Sequence, residues 1–357
     1  MSQNAAKTTL HTPLCDLLNV QYPIVQTGMG WVSYPTLTAA TSAAGGFGIL
    51  ASATMTLDEL AANIDAVRSL TDKPFGVNMR GDQDDVDARI ALMIDRKIPL
   101  ASFAGAPGRK VIDKLKENGI LSMPTIGLPR HAEKMQAWGV DAVIAQGHEG
   151  GGHTGPVPTS ILLPEVCATV DIPVLGAGGF KSGRGLVAAL SYGAVGIAMG
   201  TRFLLTAESG VPQHVKDQYL KADLRSTVVT TAIDGAPQRV IETAMIREIE
   251  KSGVITKLFG AIRNAMAIRA ITKQSILEIL REARAMKQTR EMSVAELAMA
   301  ANAPMLTRAT MVEGNLDAGI LPTGQITGAI EQLPTVQQVL DEIMAEAEAT
   351  LARLGVQ

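Results

Sequence analysis

The sequence predicts an α/β protein whose core is a (β/α)8 barrel, or TIM barrel, with an inserted or appended helical subdomain. Three observations predict this fold: eight short apolar runs, amphipathic stretches between them, and a spacing of roughly 20–30 residues, which suits units of one strand and one helix. The chain has 357 residues, more than the roughly 250 of a simple barrel, so there is length for a subdomain.

The predicted strands are apolar along their whole length, which is typical of strands buried on both faces of a parallel sheet. Eight such strands can close into a barrel. An open doubly wound sheet is the alternative, but its first strand normally precedes a fingerprint of three glycines, and Gly28-Met-Gly-Trp31 lacks the third. The predicted strands are Pro23–Thr27, Gly46–Leu50, Pro74–Asn78, Leu100–Phe103, Leu121–Thr125, Ala142–Gln146, Pro173–Gly176 and Gly196–Met199.

The chain changes character after about residue 207. Residues 1–207 are predicted to form the barrel, which a helix within residues 331–357 completes. Residues 208–330 are predicted to form a mostly helical lid or substrate subdomain. Within it, Lys251 to Arg290 contain nine Lys or Arg residues and only two acids, Glu278 and Glu282.

Composition narrows the class of protein. Hydrophobic residues make up 46% and charged residues 19%, which indicates a globular chain, and a net charge of −3 gives no reason to expect nucleic acid. Two cysteines, Cys15 and Cys167, cannot form a disulfide framework or a tetrahedral zinc site. With no apolar leader and no run of about 18 apolar residues, we expect a cytoplasmic protein without a membrane partner. A homo-oligomer is compatible with this composition.

Glycine-rich turns follow two strands where barrel enzymes commonly bind phosphate. Gly176-Ala-Gly-Gly179 follows the seventh strand, and Met199-Gly-Thr-Arg202 follows the eighth. Residues without a Cβ let backbone N–H groups approach a phosphate, and a following helix adds its dipole. The two turns together are therefore predicted to bind a phosphate group.

The loop after the sixth strand carries the candidate catalytic residue. Its two histidines, His148 and His153, are five residues apart, and the three glycines between them would cost about 3 kcal/mol in a helix, which excludes a zinc-protease helix. In a loop, Gly151 and Gly152 let the backbone pass close to a flat ligand and direct His153 into the cavity. Histidine titrates near neutral pH, so His153 is the predicted acid or base. No metal is expected.

Two amides stand at the carboxyl ends of predicted strands. Asn78 ends the third strand and Gln146 the sixth. Because amides both donate and accept hydrogen bonds, they suit the mixed edge of a flavin ring. The alternative is that each amide satisfies loop backbone.

Five ordered motifs resemble the nitronate monooxygenase family, formerly called 2-nitropropane dioxygenase, which includes FMN-containing enoyl-acyl-carrier-protein reductases. The resemblance covers residues 12–205 and 314–330, and its motifs are Pro23–Gly30, Ala44–Gly48, Leu70–Asn78, Gln146–Gly155 and Gly176–Phe180. It implies an FMN-bearing barrel in which Gly178, Gly179, Gly200 and Thr201 hold the phosphate. His153 matches the family's catalytic histidine. The resemblance places Gly28, Met29, Gly30, Asn78 and Gln146 along the flavin.

Within this family the sequence is most similar to IpdC-type flavoproteins, which act on coenzyme A thioesters in the breakdown of steroid C and D rings. The similarity includes Val25–Val32 and Ser52–Glu59 and continues through Ala301–Met305. Two features depart from typical nitronate enzymes: Ala51–Met55 lacks a tyrosine, and Met123-Pro-Thr125 lacks a lysine. A nitronate monooxygenase, an NAD(P)H-dependent enoyl-thioester reductase and a catalytically silent flavin protein are the alternatives.

The basic block suggests an anionic small-molecule substrate. Coenzyme A carries several phosphate charges, and arginines suit bidentate phosphate contacts. Arg263, Arg269 and Lys273 are the candidate contacts, with His148 as a further substrate residue. A solvated helix face is the alternative, and a nucleic-acid partner is disfavoured because the block holds one aromatic residue, Phe259.

Overall fold

The computed structural model describes residues 10–251 and 302–355, and eight of its strands close into a parallel barrel. Its strands are β1 (Ile24–Gln26), β2 (Phe47–Ala51), β3 (Phe75–Met79), β4 (Leu100–Phe103), β5 (Leu121–Ile126), β6 (Val143–Gln146), β7 (Gly152–His153), β8 (Val174–Ala177), β9 (Gly196–Met199), β10 (Thr227–Thr230) and β11 (Gln238–Ile241). The barrel order is β1-β2-β3-β4-β5-β6-β8-β9, and β9 pairs with β1. The predicted barrel is confirmed, because each predicted strand overlaps one of these eight.

Helices follow the barrel strands and surround them. In the described residues they are α1 (Pro13–Leu18), α2 (Pro35–Ala43), α3 (Leu57–Leu70), α4 (Val86–Asp95), α5 (Arg109–Glu117), α6 (Pro129–Trp138), α7 (Thr159–Thr169), α8 (Gly183–Ser191), α9 (Thr201–Leu204), α10 (Gln213–Leu220), α11 (Ala244–Lys251), α12 (Asn302–Met311) and α13 (Val336–Arg353), with a 3-10 helix at Gln325–Ala329. None of these described helices is long and apolar enough to cross a membrane.

The barrel interior is apolar, and α1 closes its amino-terminal end. Val25, Ile49 and Leu175 belong to one buried cluster with Leu14 of α1. A Cβ at Gly196, the first residue of β9, would lie 2.6 Å from Leu14 Cδ2, so the helix sits directly on the start of that strand. The loops at the carboxyl ends of the strands therefore form the accessible mouth of the barrel.

A β-hairpin was not predicted in the segment after the barrel. β10 and β11 pair antiparallel, and β11 pairs in turn with β7 in the loop after β6. The seven residues between β10 and β11 include Asp234-Gly235, a dipeptide that marks turns, so local sequence explains the turn of this hairpin. Residues 252–301 lie outside the described residues, so the helical subdomain over 208–330 stays a prediction.

Helix α13 packs against α8 so closely that their backbones touch. A Cβ at Gly183, the first residue of α8, would lie 2.2 Å from Ala347 N. The start of α13 is fixed by a capping box in which Thr335 Oγ1 accepts from Gln338 N and the Gln338 side chain accepts from Thr335 N. The carboxyl-terminal helix therefore packs directly on the barrel.

Glu346→Gln is expected to lower the free energy of unfolding by about 0.5–1 kcal/mol near neutral pH, a small effect because solvent screens the exposed Arg184. Glu346 Oε1 lies 2.7 Å from Arg184 Nε, and Oε2 accepts from Gly183 N at 2.7 Å. Burial raises the pKa of this carboxyl, but the bonds from Arg184 and Gly183 more than offset burial, so the folded-state pKa lies below the ordinary 4.5.

The sign of the pH dependence follows from that lowered pKa. The stabilisation by Glu346 is fully present above pH 4.5 and is lost as the pH falls through the folded-state pKa. Urea unfolding of the wild type and Glu346→Gln over this range measures the effect. A difference between the two proteins that persists unchanged in acid contradicts it.

Candidate active site

The backbone after β1 lies against the side chain of Asn78 on β3. A Cβ at Gly28 would stand 2.2 Å from Asn78 Cβ, so only glycine fits there. Asn78 is buried, and its Nδ2 donates to Ser102 Oγ on β4 at 3.4 Å. Gly28 and Asn78, which the sequence predicted to face one ligand, are therefore neighbours at the mouth of the barrel.

Met29 and Gly30 continue this loop toward the turn after β9. A Cβ at Gly200 would lie 3.3 Å from Met29 Sδ, and a Cβ at Gly30 would lie 3.5 Å from a threonine side chain after β2. The next residue, Trp31, has a φ of +65°, and its Nε1 donates to Pro304 O of α12 at 2.9 Å. The loop after β1 thus contacts both the last barrel turn and the helix that follows residues 252–301.

Backbone from three loops meets in what we call the glycine corner, formed by Gly150–Gly152 after β6, Gly178 and Gly179 after β8, and Gly200 and Thr201 after β9. A Cβ at Gly178 would lie 3.1 Å from both Gly147 O and Gly150 N. Gly178 and Gly179 have φ values of +92° and +83°, a region that favours glycine. The loops after β6 and β8 are thereby in contact.

The segment after α12 joins the turn after β9 to this corner. Thr201 Oγ1 accepts a hydrogen bond from Gly324 N at 2.9 Å, and a Cβ at Gly151 would lie 2.4 Å from the carbonyl carbon of Thr323. The structure therefore brings Thr201 and Gly151 together through residues 323 and 324. Thr323 and Gly324 were not predicted as site residues. The family resemblance over residues 314–330 was the sequence signal that could have indicated them.

Arg239 on β11 holds the loop that carries the triple glycine. Its Nε and Nη2 donate to His148 O at 3.3 and 3.1 Å, and its Nη1 donates to Thr227 Oγ1 on β10 at 2.9 Å. Burial lowers the pKa of this guanidinium, and the nearby Glu149 acts in the opposite direction. A buried cation of the hairpin thus fixes the start of the loop.

Three further side chains tie the loop to the barrel. Gln146 Nε2 donates to His153 O at 2.8 Å, and Glu149 Oε2 accepts from the backbone N and Oγ1 of Thr159 at the start of α7. His148 Nδ1 lies 2.8 Å from Gly155 O, so that ring is bonded within the loop. A flavin contact from Gln146 and a substrate contact from His148 stay predictions.

His153 is exposed at the mouth and paired with a buried carboxylate. Its side chain is 61% exposed, and its Nε2 lies 2.7 Å from Asp234 Oδ2, whose side chain is only 6% exposed. The two residues are 81 positions apart in the chain. An imidazole with a free face and a fixed carboxylate partner can take or give a proton.

The carboxyl of Asp234 is held in its charged form. Burial would raise its pKa, but the hydrogen bond from His153, the charge on that ring and the Ala236 N–H outweigh burial and lower the pKa. Asp234 therefore acts as a hydrogen-bond acceptor at neutral pH.

Asp234 and Arg239 were missed in the sequence because their roles depend on pairing between distant segments. The dipeptide Asp234-Gly235 marks a turn. It gives no indication that the hairpin lies beside β7.

Three predicted substrate contacts belong to the segment between α11 and α12. Arg263, Arg269 and Lys273 fall within residues 252–301, outside the described residues. Across residues 10–251 and 302–355, no three His, Cys, Asp or Glu side chains form a group that could hold a metal ion.

Together, the closed parallel barrel and the loops at the carboxyl ends of its strands define a β/α-barrel enzyme. More specifically, the chain belongs to the nitronate monooxygenase family, whose family model matches residues 11–89 and 80–346. It is therefore an oxidoreductase, and family membership indicates a flavin cofactor.

Similar proteins fall into two groups. The chain is 51% identical over 348 residues to a protein of Rhodococcus jostii (strain RHA1) named (3aS,4S,5R,7aS)-5-hydroxy-7a-methyl-1-oxo-octahydro-1H-indene-4-carboxyl-CoA dehydrogenase, covering 98% of this chain and 99% of that protein. A protein of the same name from Mycobacterium tuberculosis (strain ATCC 25618 / H37Rv) is 50% identical, with 95% and 96% covered. A probable nitronate monooxygenase of Staphylococcus saprophyticus is 34% identical, with 68% and 81% covered.

Solved structures also resemble this fold closely. FabK from Thermotoga maritima matches with a TM-score of 0.79 at 35% identity, covering 97% of this chain and 99% of that one. A nitroalkane oxidase from Streptomyces ansochromogenes matches with a TM-score of 0.76 at 29% identity, covering 96% and 99%. The likeness extends over nearly the whole chain in both cases.

Proposed function

We propose that this oxidoreductase uses FMN to remove a hydride and a proton next to the carbonyl of a coenzyme A thioester in steroid ring degradation, the proton from the carbon adjacent to the carbonyl and the hydride from the carbon beyond it, or to return both. The observation that carries the proposal is the 51% identity to an indene-carboxyl-CoA dehydrogenase over 98% of the chain. Because the likeness covers both chains almost completely, it includes the segment after the barrel as well as the barrel itself.

The backbone of the glycine corner supports the proposal that it holds a single phosphate group, as in FMN. Gly178 and Gly179 have left-handed backbone conformations and no Cβ. Their N–H groups can therefore approach a phosphate closely. The turn after β1 lacks the third glycine of a dinucleotide fingerprint. When bound, the flavin would accept or supply the hydride. The proposed phosphate ligands are Gly178, Gly179, Gly200 and Thr201, and the proposed ring contacts are Gly28, Met29, Gly30, Asn78, Gln146, Gly151 and Gly152.

His153 is the residue proposed to move the substrate proton. A thioester carbonyl acidifies the adjacent C–H bond, and an imidazole at the mouth of the barrel can accept that proton or return it. The exposed ring is accessible from solvent, whereas the loop beneath it is fixed by Arg239 and Gln146. The loop would therefore hold the base in place while the substrate enters.

A nitronate monooxygenase is the second candidate. The family model and the 34% identity to the staphylococcal protein favour it, although that likeness covers 68% of this chain. The absence of a tyrosine in Ala51–Met55 and of a lysine near Met123 weighs against it.

Anaerobic titration of the purified holoprotein separates the candidates. Flavin absorbance is followed while a panel of CoA thioesters, propionate 3-nitronate or NADH is added, and the flavin released by denaturation is identified by chromatography. We expect FMN and bleaching by a thioester. Bleaching by the nitronate alone favours the second candidate, bleaching by NADH with thioester-dependent reoxidation favours an enoyl reductase, and released FAD contradicts the cofactor proposal.

Neutralising Arg263, Arg269 and Lys273 together is expected to raise KM for a CoA thioester about 10- to 150-fold, because one lost charged contact commonly costs about 1.5–3 kcal/mol. Flavin content and KM for a small nitronate should not change. The effect should shrink in high salt, since exposed charges are screened over about 8 Å at physiological ionic strength. An unchanged KM for the thioester contradicts a CoA-binding role for this block.

A further inference from the structure

The buried carboxylate of Asp234 has both oxygens committed. Oδ1 accepts from Ala236 N at 3.1 Å within the turn of the hairpin, and Oδ2 lies 2.7 Å from His153 Nε2. Its side chain is 6% exposed, so it has little freedom to rotate, and water has little access to compete for its hydrogen bonds. The carboxylate is thus a fixed acceptor directed at one particular nitrogen of the histidine ring.

The backbone around His153 is also held by the hairpin. His153 pairs with Gln238 and Gly152 pairs with Arg239 in the β7–β11 ladder, and Thr154 N donates to Pro237 O at 3.1 Å. With the main chain fixed on both sides, the orientation of the ring is set by its bond to Asp234. Its other nitrogen, Nδ1, has no hydrogen-bond partner within residues 10–251 and 302–355.

We propose that Asp234 is a positioning residue that fixes the tautomer of His153, so that Nε2 carries the hydrogen and Nδ1 is the atom that accepts the substrate proton. An ionised carboxylate can only accept hydrogen bonds, so the nitrogen facing it must be the protonated one. The role rests on the proposed function, in which His153 is the base.

The proton step balances without any further group. The C–H bond next to the thioester carbonyl breaks, its proton bonds to Nδ1, and its electron pair stays on the carbon, delocalised onto the carbonyl oxygen. The ring then becomes an imidazolium whose charge faces the Asp234 carboxylate, which stabilises it without itself taking the proton. In this arrangement the hairpin supplies part of the active site.

The tautomer can be observed directly by 15N NMR of the flavin-loaded protein with labelled histidine, with His153→Gln assigning the resonances. In the wild type at a pH where the ring is neutral, the N–H resonance should be Nε2. Asp234→Ala should give an exchanging mixture of tautomers. Asp234→Asn keeps the shape but removes the charge, and it serves if the alanine variant does not fold.

Kinetics provide the second readout. Asp234→Asn should lower kcat for the reducing substrate about 10- to 100-fold with little change in KM, because loss of a tautomer-fixing carboxylate acts on the chemical step. Asp141→Asn is the matched control, since Asp141 accepts from Ser122 N and Oγ at the opposite end of the barrel. It should leave kcat unchanged.

The outcomes separate this inference from the proposed function. An Nδ1–H tautomer in the wild type, or an unchanged tautomer in both Asp234 variants, overturns the inference whatever the substrate is. An equal loss of kcat in Asp234→Asn and Asp141→Asn also overturns it. If the NMR result is as expected but no thioester reduces the flavin, the proposed substrate fails while the assignment of Nδ1 stands.

Discussion

His153→Ala is expected to retain its flavin and to lose about 10²- to 10⁴-fold in turnover, the usual contribution of a general acid or base. The ring stands at the mouth with its side chain 61% exposed, so its removal leaves no buried cavity. Its backbone carbonyl still accepts from Gln146 Nε2 in the variant, and the β7–β11 ladder does not depend on the ring. Steady-state kinetics with the substrate that bleaches the flavin, together with the flavin-to-protein ratio, measure both parts of the prediction.

His11→Ala is the matched control for this variant. His11 is exposed and pairs with Asp16 on α1, at the closed end of the barrel, so its loss should leave turnover unchanged. Near wild-type turnover in His153→Ala contradicts a catalytic role. Loss of flavin from that variant contradicts the expectation that the loop holds its shape without the ring.

The barrel could be predicted from sequence because each of its strands carries a local signal. β6, for example, lies within a continuous apolar run, and strands buried on both faces require such runs. The glycine corner could be predicted for a related reason. Glycine turns after the seventh and eighth barrel strands must converge once the barrel closes, so their order along the chain fixes their position in space.

The position of the hairpin beside β7, and therefore its role, could not be predicted in the same way. Asp234 and His153 meet because β11 pairs with β7, a strand of two residues that begins with the last of three consecutive glycines and has no strand pattern of its own. Position 151 likewise accepts only glycine, because Thr323, which is 172 residues later in the chain, packs against its backbone. Contacts between segments so far apart leave no periodic pattern in either one.

Gly178→Ala is expected to weaken flavin binding about 100-fold or more, which corresponds to about 2.7 kcal/mol. Gly178 has a φ of +92°, where an L-residue costs about 1–2 kcal/mol, and its Cβ would lie 3.1 Å from Gly147 O and Gly150 N in the glycine corner. Relief of that contact must move the loops after β6 and β8 apart, and those loops carry the proposed phosphate and ring contacts. The flavin-to-protein ratio after purification and the Kd for added FMN measure the effect.

Gly193→Ala separates the effect on the cofactor from simple backbone strain. Gly193 has a φ of +95°, and its Cβ would lie 3.1 Å from Cys167 Cβ, so strain and crowding closely match those at Gly178. Gly193 precedes β9, however, and therefore lies at the amino-terminal end of the barrel, away from the glycine corner. Both variants should lose similar stability to urea as apoproteins, whereas only Gly178→Ala should lose its flavin. Equal retention of flavin in the two variants would show that the glycine corner does not hold the cofactor.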